Sequence, residues 1–174
     1  KSIEGSIVSG KLDVEGTTRV ANETWDASAT LKLRQGYFRL PSQDLTIDGI
    51  SANIDLDSIT NLKTTPSQSI SASSIIFGDL QAANLQSTFS LPSEELLLVE
   101  SIRLETFDGY VYLEPFELAL EDPNASLIVK FEEISIEPAI AMVDFFQGRL
   151  TGRLNGSLPI SLENGLPVLG EGFL

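Results

Sequence analysis

Apolar and polar residues alternate along most of this chain with the two-residue period of a β-strand that has one oily and one wet face. The longest such run covers residues 148–162, GRLTGRLNGSLPISL, in which leucine, isoleucine and glycine take the even positions. The opening stretch repeats the pattern through Leu12, Val14 and Val20, and the segment from Trp25 to Leu33 continues it. The alternation therefore predicts a chain built mostly of strands.

Turn signals separate these runs roughly every ten residues, as expected for a meandering antiparallel sheet. We expect strands to be interrupted at Gln35-Gly36, Asp48-Gly49, Gly78-Asp79 and Pro92-Ser93, at a hairpin centred on Asp108-Gly109, and at residues 122–124. So many strands in one chain must curl or fold upon themselves. The prediction is a mainly β fold, a long curled antiparallel sheet that is groove-like or sandwich-like.

One segment breaks the two-residue period. Pro138 suits the first turn of a helix, Ile140, Val143 and Phe146 fall at helical spacing, and Gly148 is placed to end it. The sequence therefore predicts one short α-helix near residues 138–147.

The composition of the chain argues against most kinds of catalytic and metal site. The 174 residues fit a single β-rich domain, residues 1–174, and the net charge of −14 argues against nucleic acid as a partner. The chain has no cysteine and no histidine, which excludes disulfides, Cys-ligated metals and catalysis by Ser–His or Cys–His pairs. The carboxylates are dispersed, and the pair Asp55 and Asp57 lacks the glycine-containing loop of a dedicated calcium site. We expect no enzyme, no cofactor and no metal.

The glycines in the run 148–162 leave two interpretations open. Glycine weakens a strand unless another backbone approaches closely or the strand bends. Packing of the 138–147 helix or an opposing strand on these glycines is the interpretation that the pattern alone favours. The other is that the oily face of a curled sheet forms a trough for acyl chains. In that case the lipid-facing residues are Leu150, Gly152, Leu154, Gly156, Leu158 and Ile160.

Three stretches together resemble the YdbH-like family, whose relatives are the AsmA-like envelope proteins. They are PSQSISASSIIFGDLQAANLQSTFSL at 66–91, ETFDGYVYLEPFEL at 105–118, and residues 127–172. The last stretch contains Gly148, Gly152, Gly156 and Pro159, followed by a turn at Asn164-Gly165. The chain departs from the family at Asp108-Gly109, where paired glycines are expected, and residues 1–60 share only the strand pattern.

The resemblance implies a non-enzymatic segment of a longer periplasmic protein that is anchored in the inner membrane and carries phospholipids between membranes in an apolar groove. Its expected partners are phospholipid acyl chains, the remaining domains of the same chain and other envelope proteins. Two alternatives stay open. One is a structural or interaction module with a closed core, and the other is an accessory protein for dicarboxylate transport, a label that the family has also carried. The cationic pair available for a dicarboxylate is Arg149 and Arg153, which alternation places on a wet, solvated face.

Overall fold

A computed structural model describes residues 5–21, 24–141, 150–163 and 166–169. Strands account for most of these residues. In chain order the elements are β1 (Ile7–Ala21), β2 (Thr24–Leu40), a 3-10 turn (Pro41–Gln43), β3 (Leu45–Ser58), β4 (Lys63–Thr64), β5 (Gln68–Phe77), β6 (Leu80–Ser93), β7 (Leu96–Thr106), β8 (Gly109–Leu113), β9 (Phe116–Ala119), β10 (Ala125–Ser135), α1 (Ile136–Ala141), β11 (Arg153–Glu163) and β12 (Leu166–Leu169).

The twelve described strands form one antiparallel sheet. Its order is β1-β2-β3-β5-β6-β7-β8-β10-β11-β12, with β4 paired to β3 and β9 paired to β7. Because β1 and β12 lie at opposite ends of this path and are not paired with each other, the described sheet is open. The predicted mainly β, antiparallel fold is confirmed, and it is a single sheet, not a sandwich.

Two predicted turns are β-bulges inside continuous strands. Gln35-Gly36 lies within β2, where the pairing with β3 shifts, and Gly49 lies within β3 with a φ of 65°. Ser73 in β5 and Asn84 in β6, whose φ is 51°, occupy the positions beside Gly49 in the next two strands. The turn predictions at Gln35-Gly36 and Asp48-Gly49 were wrong because glycine permits a bulge as readily as a turn. Since bulges bend strands, the shifts in the pairing of β2 with β3 bend this part of the sheet.

The predicted hairpin is present, but its turn is shifted by one residue. Thr106 pairs with Gly109, so Phe107 and Asp108 form the two-residue turn, with φ of 49° and 58°. Positive φ at both positions defines a type I′ turn, for which glycine is usually favoured. Gly109 directly follows the turn, at the start of β8. Glycine is required there because a Cβ would lie 2.5 Å from the Glu132 carbonyl oxygen in β10. The glycine therefore serves close strand packing and not the turn.

The remaining turns need only small corrections. Gly78-Asp79 joins Phe77 to Leu80 as predicted, and residues 122–124 separate β9 from β10. β6 continues through Pro92 to Ser93, which places the next turn at residues 94–95. Within the described ranges, no helix is long and apolar enough to cross a membrane.

The helix and the long glycine-containing strand both differ from their predicted bounds. α1 begins at Ile136, two residues early, and the predicted helical residues 142–147 lie outside the described ranges. β11 begins only at Arg153, so Leu150 and Gly152 precede it, and residues 148–149 lie outside the described ranges. From Arg153 to Glu163 the predicted alternation is confirmed, with odd positions exposed and even positions half-buried.

Candidate functional site

A single row of directly opposed residues crosses nine strands on one side of the sheet. Residues that face each other across an antiparallel pair project from the same side, so the row defines a common face. We call it the apolar row: Leu12, Leu33, Ala52, Ile70, Ser87, Ile102, Leu113, Val129 and Leu158. Eight of the nine side chains are hydrocarbon, and the sheet face that carries the row is called the apolar face below.

Neighbouring rows extend this face along the strands. Leu104, Val111, Phe131 and Gly156 oppose one another across β7, β8, β10 and β11. Toward the other edge, Val14, Leu31 and Ile54 form a second short row across β1, β2 and β3. The face is therefore a surface several residues wide and not one line of side chains.

The apolar face has no second layer of described residues over it. Within the apolar row only Val129 is buried, at 8% exposed, while Leu12 is 61% exposed and the others are half-buried. Among the described residues, no large side chain is less than 2% exposed. A face packed against another sheet or helix layer would bury these positions almost completely.

The opposite face of the sheet carries a row of polar residues that runs alongside the apolar row. Each member is the sequence neighbour of a member of the apolar row, so its side chain points the other way: Ser51, Ser71, Gln86, Arg103, Tyr112, Lys130 and Ser157. The Arg103 guanidinium lies 4.2 Å from the ring centre of Tyr110, and a hydrogen bond with Tyr112 raises the pKa of Arg103. Lys130 forms an ion pair with Glu114. Along these two rows, one side of the sheet is apolar and the other is polar.

The structure brings four of the six predicted lipid-facing residues together. Leu154, Gly156, Leu158 and Ile160 lie on the same side of β11 and are half-buried. Their cross-strand partners in β10 are Ile134, Phe131, Val129 and Leu127. Leu150 is 46% exposed outside any strand, and Gly152 precedes β11 with a φ of 141°. The strand that was predicted for residues 148–152 is therefore absent from 150–152.

The two glycines of this segment have different surroundings. A Cβ on Gly156 would meet no described atom within 4 Å, so the residue leaves a notch beside Phe131. A Cβ on Gly152 would lie 3.7 Å from Cδ1 of Ile136 in α1, which is ordinary van der Waals contact. The start of α1 does approach the Gly152 backbone, because the Ile136 N–H donates a hydrogen bond to the Gly152 carbonyl over 3.1 Å. Packing of the helix, the interpretation that the pattern favoured, is therefore observed at Gly152, whereas no described atom packs on Gly156.

Two pockets in the described part of the chain lie away from the apolar row, and a third is lined by Leu33 and Ala52 of the row together with residues of the polar side. A shallow pocket of about 480 Å³ opens beside Ser74, Glu105, Asp108 and Tyr110, on the polar side. Another, near Glu15, Thr30 and Asp55, is also lined mainly by polar groups. Ligand pockets are predominantly apolar with a few convergent polar groups, which neither of these is. The candidate site is therefore the open apolar face, which is a surface and not an enclosed cavity.

Two polar anchors of the sheet were missed from the sequence. The Asn155 side chain accepts a hydrogen bond from the Glu133 N–H and donates one to its carboxylate, and Arg153 donates to the Glu133 and Asp108 carbonyls. These contacts fix the β10 bulge at Glu133, whose φ is 56°. They also occupy Arg153, one member of the pair considered for a dicarboxylate, while Arg149 lies outside the described residues.

Gln68 is the second missed anchor. The residue is only 3% exposed and lies at the start of β5. Its side-chain amide forms hydrogen bonds with the Asp55 N–H and with the carbonyls of Thr65 and Pro66. A lone glutamine at the end of a loop gives no signal for this role in the sequence. Among the described residues, no group of three acidic side chains is arranged to hold a metal ion.

The described sheet is open and has one apolar face without a covering layer, which is a surface suited to contact with apolar material. A family model described as intermembrane phospholipid transport protein YdbH matches residues 6–174. The chain belongs to the YdbH-like family, a family of lipid transport proteins. The match reaches into residues 1–60, where only the strand pattern had suggested it. No curated protein and no solved structure matches the chain.

Proposed function

We propose that the apolar face binds phospholipid acyl chains and lets them pass along the sheet, within a periplasmic protein that is anchored in the inner membrane. The observation that carries the proposal is the apolar row, which runs through nine strands without a covering layer among the described residues. Acyl chains need apolar contact and no specific hydrogen bonds. The lipid-facing residues of β11 are Leu154, Gly156, Leu158 and Ile160, and Leu150 and Gly152 lie just before this strand. The proposed role is non-enzymatic.

The length of the row suits this task. Neighbouring strands lie about 4.8 Å apart, so the eight gaps between these nine strands make the row about 38 Å long. The acyl chains of one leaflet span about half of a 30 Å hydrocarbon core, or roughly 15 Å. The face is thus longer than two acyl chains placed end to end. A lipid on it could move from strand to strand while its tails keep contact with hydrocarbon.

The energetics allow movement as well as binding. Complete transfer of one methylene from water to an apolar environment is worth about 0.8 kcal/mol. A chain that lies on an open face is covered on one side only, so roughly half of that value is gained per methylene. Because eight of the nine residues along the apolar row are hydrocarbon, the gain changes little as a lipid shifts by one strand, and no single position traps it.

A closed-core scaffold and a dicarboxylate carrier have less support. The scaffold requires a packed interior, whereas the largest described side chains all retain some exposure. The dicarboxylate carrier was considered on the pair Arg149 and Arg153, of which Arg153 donates to two backbone carbonyls and Arg149 lies outside the described residues.

The test is lipid capture by the purified chain, measured by native mass spectrometry and by extraction of bound lipid. Leu158→Arg places a charge in the apolar row and is expected to reduce captured phospholipid at least tenfold. Ser161→Arg is the matched control, since Ser161 is exposed on the polar side of the same strand. Circular dichroism and urea midpoints verify that both variants are folded. Equal capture by a folded Leu158→Arg protein and the wild type would refute the assignment of this face to lipid.

A further inference from the structure

Four large apolar side chains are exposed together at one corner of the sheet. Val20 is 75% exposed and Trp25 is 62% exposed, and these two residues oppose each other at the ends of β1 and β2. Ile59 and Leu62, in the connection after β3, are 42% and 44% exposed. We call these four residues the apolar corner.

Hydrogen bonds hold the two parts of the apolar corner side by side. The Ile59 N–H donates to the Ala27 carbonyl over 2.7 Å, which ties the connection to the start of β2. Next to it, the Ser58 hydroxyl donates to Asp26, and the Asn61 N–H donates to Ser58. The exposed side chains therefore sit on an anchored scaffold.

The apolar corner is continuous with the apolar face. Val20 and Trp25 project from the same side as the pairs Gly16–Ala29 and Val14–Leu31, because each step of two residues along a strand returns to one face. From there the surface reaches Leu12 and Leu33 of the apolar row. A lipid that entered at the corner would cross the Thr18–Ala27 and Gly16–Ala29 pairs and then reach the hydrocarbon side chains that lead to the row.

The size and composition of the apolar corner fit a lipid bilayer better than a protein partner. A stable protein interface uses about 20–30 residues on each side, far more than these four. Tryptophan with aliphatic neighbours is the composition of side chains that sit at a bilayer interface. An anionic bilayer would repel a chain of net charge −14, and Arg19 opposes Asp26 across β1 and β2, so no excess positive charge arises there.

We infer that the apolar corner docks onto the surface of a zwitterionic phospholipid bilayer, with Trp25 as the interfacial anchor. The inference rests on the proposed function, since a trough for acyl chains must receive its lipids from a membrane. Docking by the corner places the bilayer next to one end of the apolar face.

The sole tryptophan of the chain makes the test direct. The purified chain is titrated with phosphatidylcholine vesicles, and Trp25 emission is followed with and without brominated acyl chains in the bilayer. Docking is expected to shift the emission to the blue and to make it quenchable by the brominated lipid. Flotation of the vesicles measures the bound fraction independently.

Paired variants locate the contact. The double variant Ile59→Asp, Leu62→Asp is expected to reduce the vesicle-bound fraction at least tenfold. The matched control is Leu120→Asp, Ile128→Asp, which charges two side chains of 42% exposure elsewhere on the sheet and is expected to change binding less than twofold. No blue shift with phosphatidylcholine vesicles, binding that requires charged lipids, or an equal loss in both double variants would each overturn the inference.

A second readout separates this inference from the proposed function. Capture of monomeric short-chain phosphatidylcholine, measured by native mass spectrometry, reports on the apolar face without a bilayer. Capture that persists while vesicle docking is absent overturns only the docking inference. Docking without capture supports the docking inference and refutes the proposal that the apolar face binds acyl chains. A change of oligomeric state in the Ile59→Asp, Leu62→Asp protein, with unchanged vesicle binding, would assign the corner to self-association instead.

Discussion

Replacement of Gln68 by alanine is expected to destabilise the sheet strongly for a single polar substitution. Its Oε1 accepts the Asp55 N–H over 2.5 Å, and its Nε2 donates to the Thr65 carbonyl over 2.6 Å and to the Pro66 carbonyl over 3.1 Å. The amide thus takes the place of a backbone partner where the β3–β5 pairing ends at Asn53 and Ser69. It also pins residues 65–66 against the sheet.

The magnitude follows from the groups left without partners. A buried donor or acceptor that loses its hydrogen bond costs about 1–3 kcal/mol, and a partly exposed one costs less because water replaces the partner. Asp55 is half-buried, so its N–H is the main group left without a hydrogen-bond partner. Thr65 and Pro66 are exposed, so water can replace part of the hydrogen bonding that their carbonyls lose. Gln68→Ala should therefore lower the free energy of unfolding by about 2–4 kcal/mol, a large share of the 5–15 kcal/mol of a typical domain.

Urea unfolding followed by circular dichroism measures this loss. The midpoint is expected to fall while the denaturant slope stays constant, because the native surface changes little. Gln86→Ala is the matched control, since Gln86 is exposed on the polar face and its removal should fall within about 0.5 kcal/mol. A loss for Gln68→Ala that equals the control would refute the claim that this buried amide anchors the loop.

Three further changes test other parts of the structure. Gly109→Ala should cost about 2 kcal/mol or more in urea unfolding, because its Cβ would overlap the Glu132 carbonyl, and a neutral result would contradict the close packing of β8 on β10. Gly156→Ala should stabilise the chain by about 0.5–1 kcal/mol, since its Cβ enters open space in a strand, and a loss would reveal a hidden contact. A hydrogen bond from Ser58 is the chief cause that lowers the pKa of Asp26 from 3.8, so this carboxylate stabilises the fold above its unfolded pKa and loses that effect as pH falls through the lower folded value. Asp26→Asn should therefore flatten the dependence of the urea midpoint on pH in the acid range below about pH 4, and an unchanged slope there would rule out this contribution.

The strands were predictable because alternation directly reports a sheet with two different faces. From Arg153 to Glu163 the pattern gave the face of each residue correctly, since burial follows the sequence parity. Glycine was the source of most errors. At Gln35-Gly36 and Gly49 it allows a bulge inside a strand, and at Gly109 it allows close backbone packing, while the pattern predicted a turn in each case. The backbone conformation depends on the neighbouring strand, which a single stretch of sequence does not contain.

The candidate site was predictable in its chemistry and only partly in its extent. The four residues on β11 that are proposed to face lipid could be chosen from one strand, whereas the apolar row depends on the register of eight strand pairs. Register is set by long-range pairing, and a shift of one residue would turn every side chain to the other face. The polar anchors at Gln68 and Asn155 likewise join residues that lie 13 and 22 positions apart.

The missing second layer links the stability of this sheet to its proposed role. Domains normally bury an apolar face against another layer of strands or helices, and the described part of this chain supplies only one layer. Backbone pairing along long strands and buried polar anchors such as Gln68 hold that layer together without a deep core. The apolar face is consequently left with hydrocarbon that water solvates poorly. An acyl chain is the simplest molecule that completes such a face, because it adds apolar contact without introducing a polar group that would need a partner.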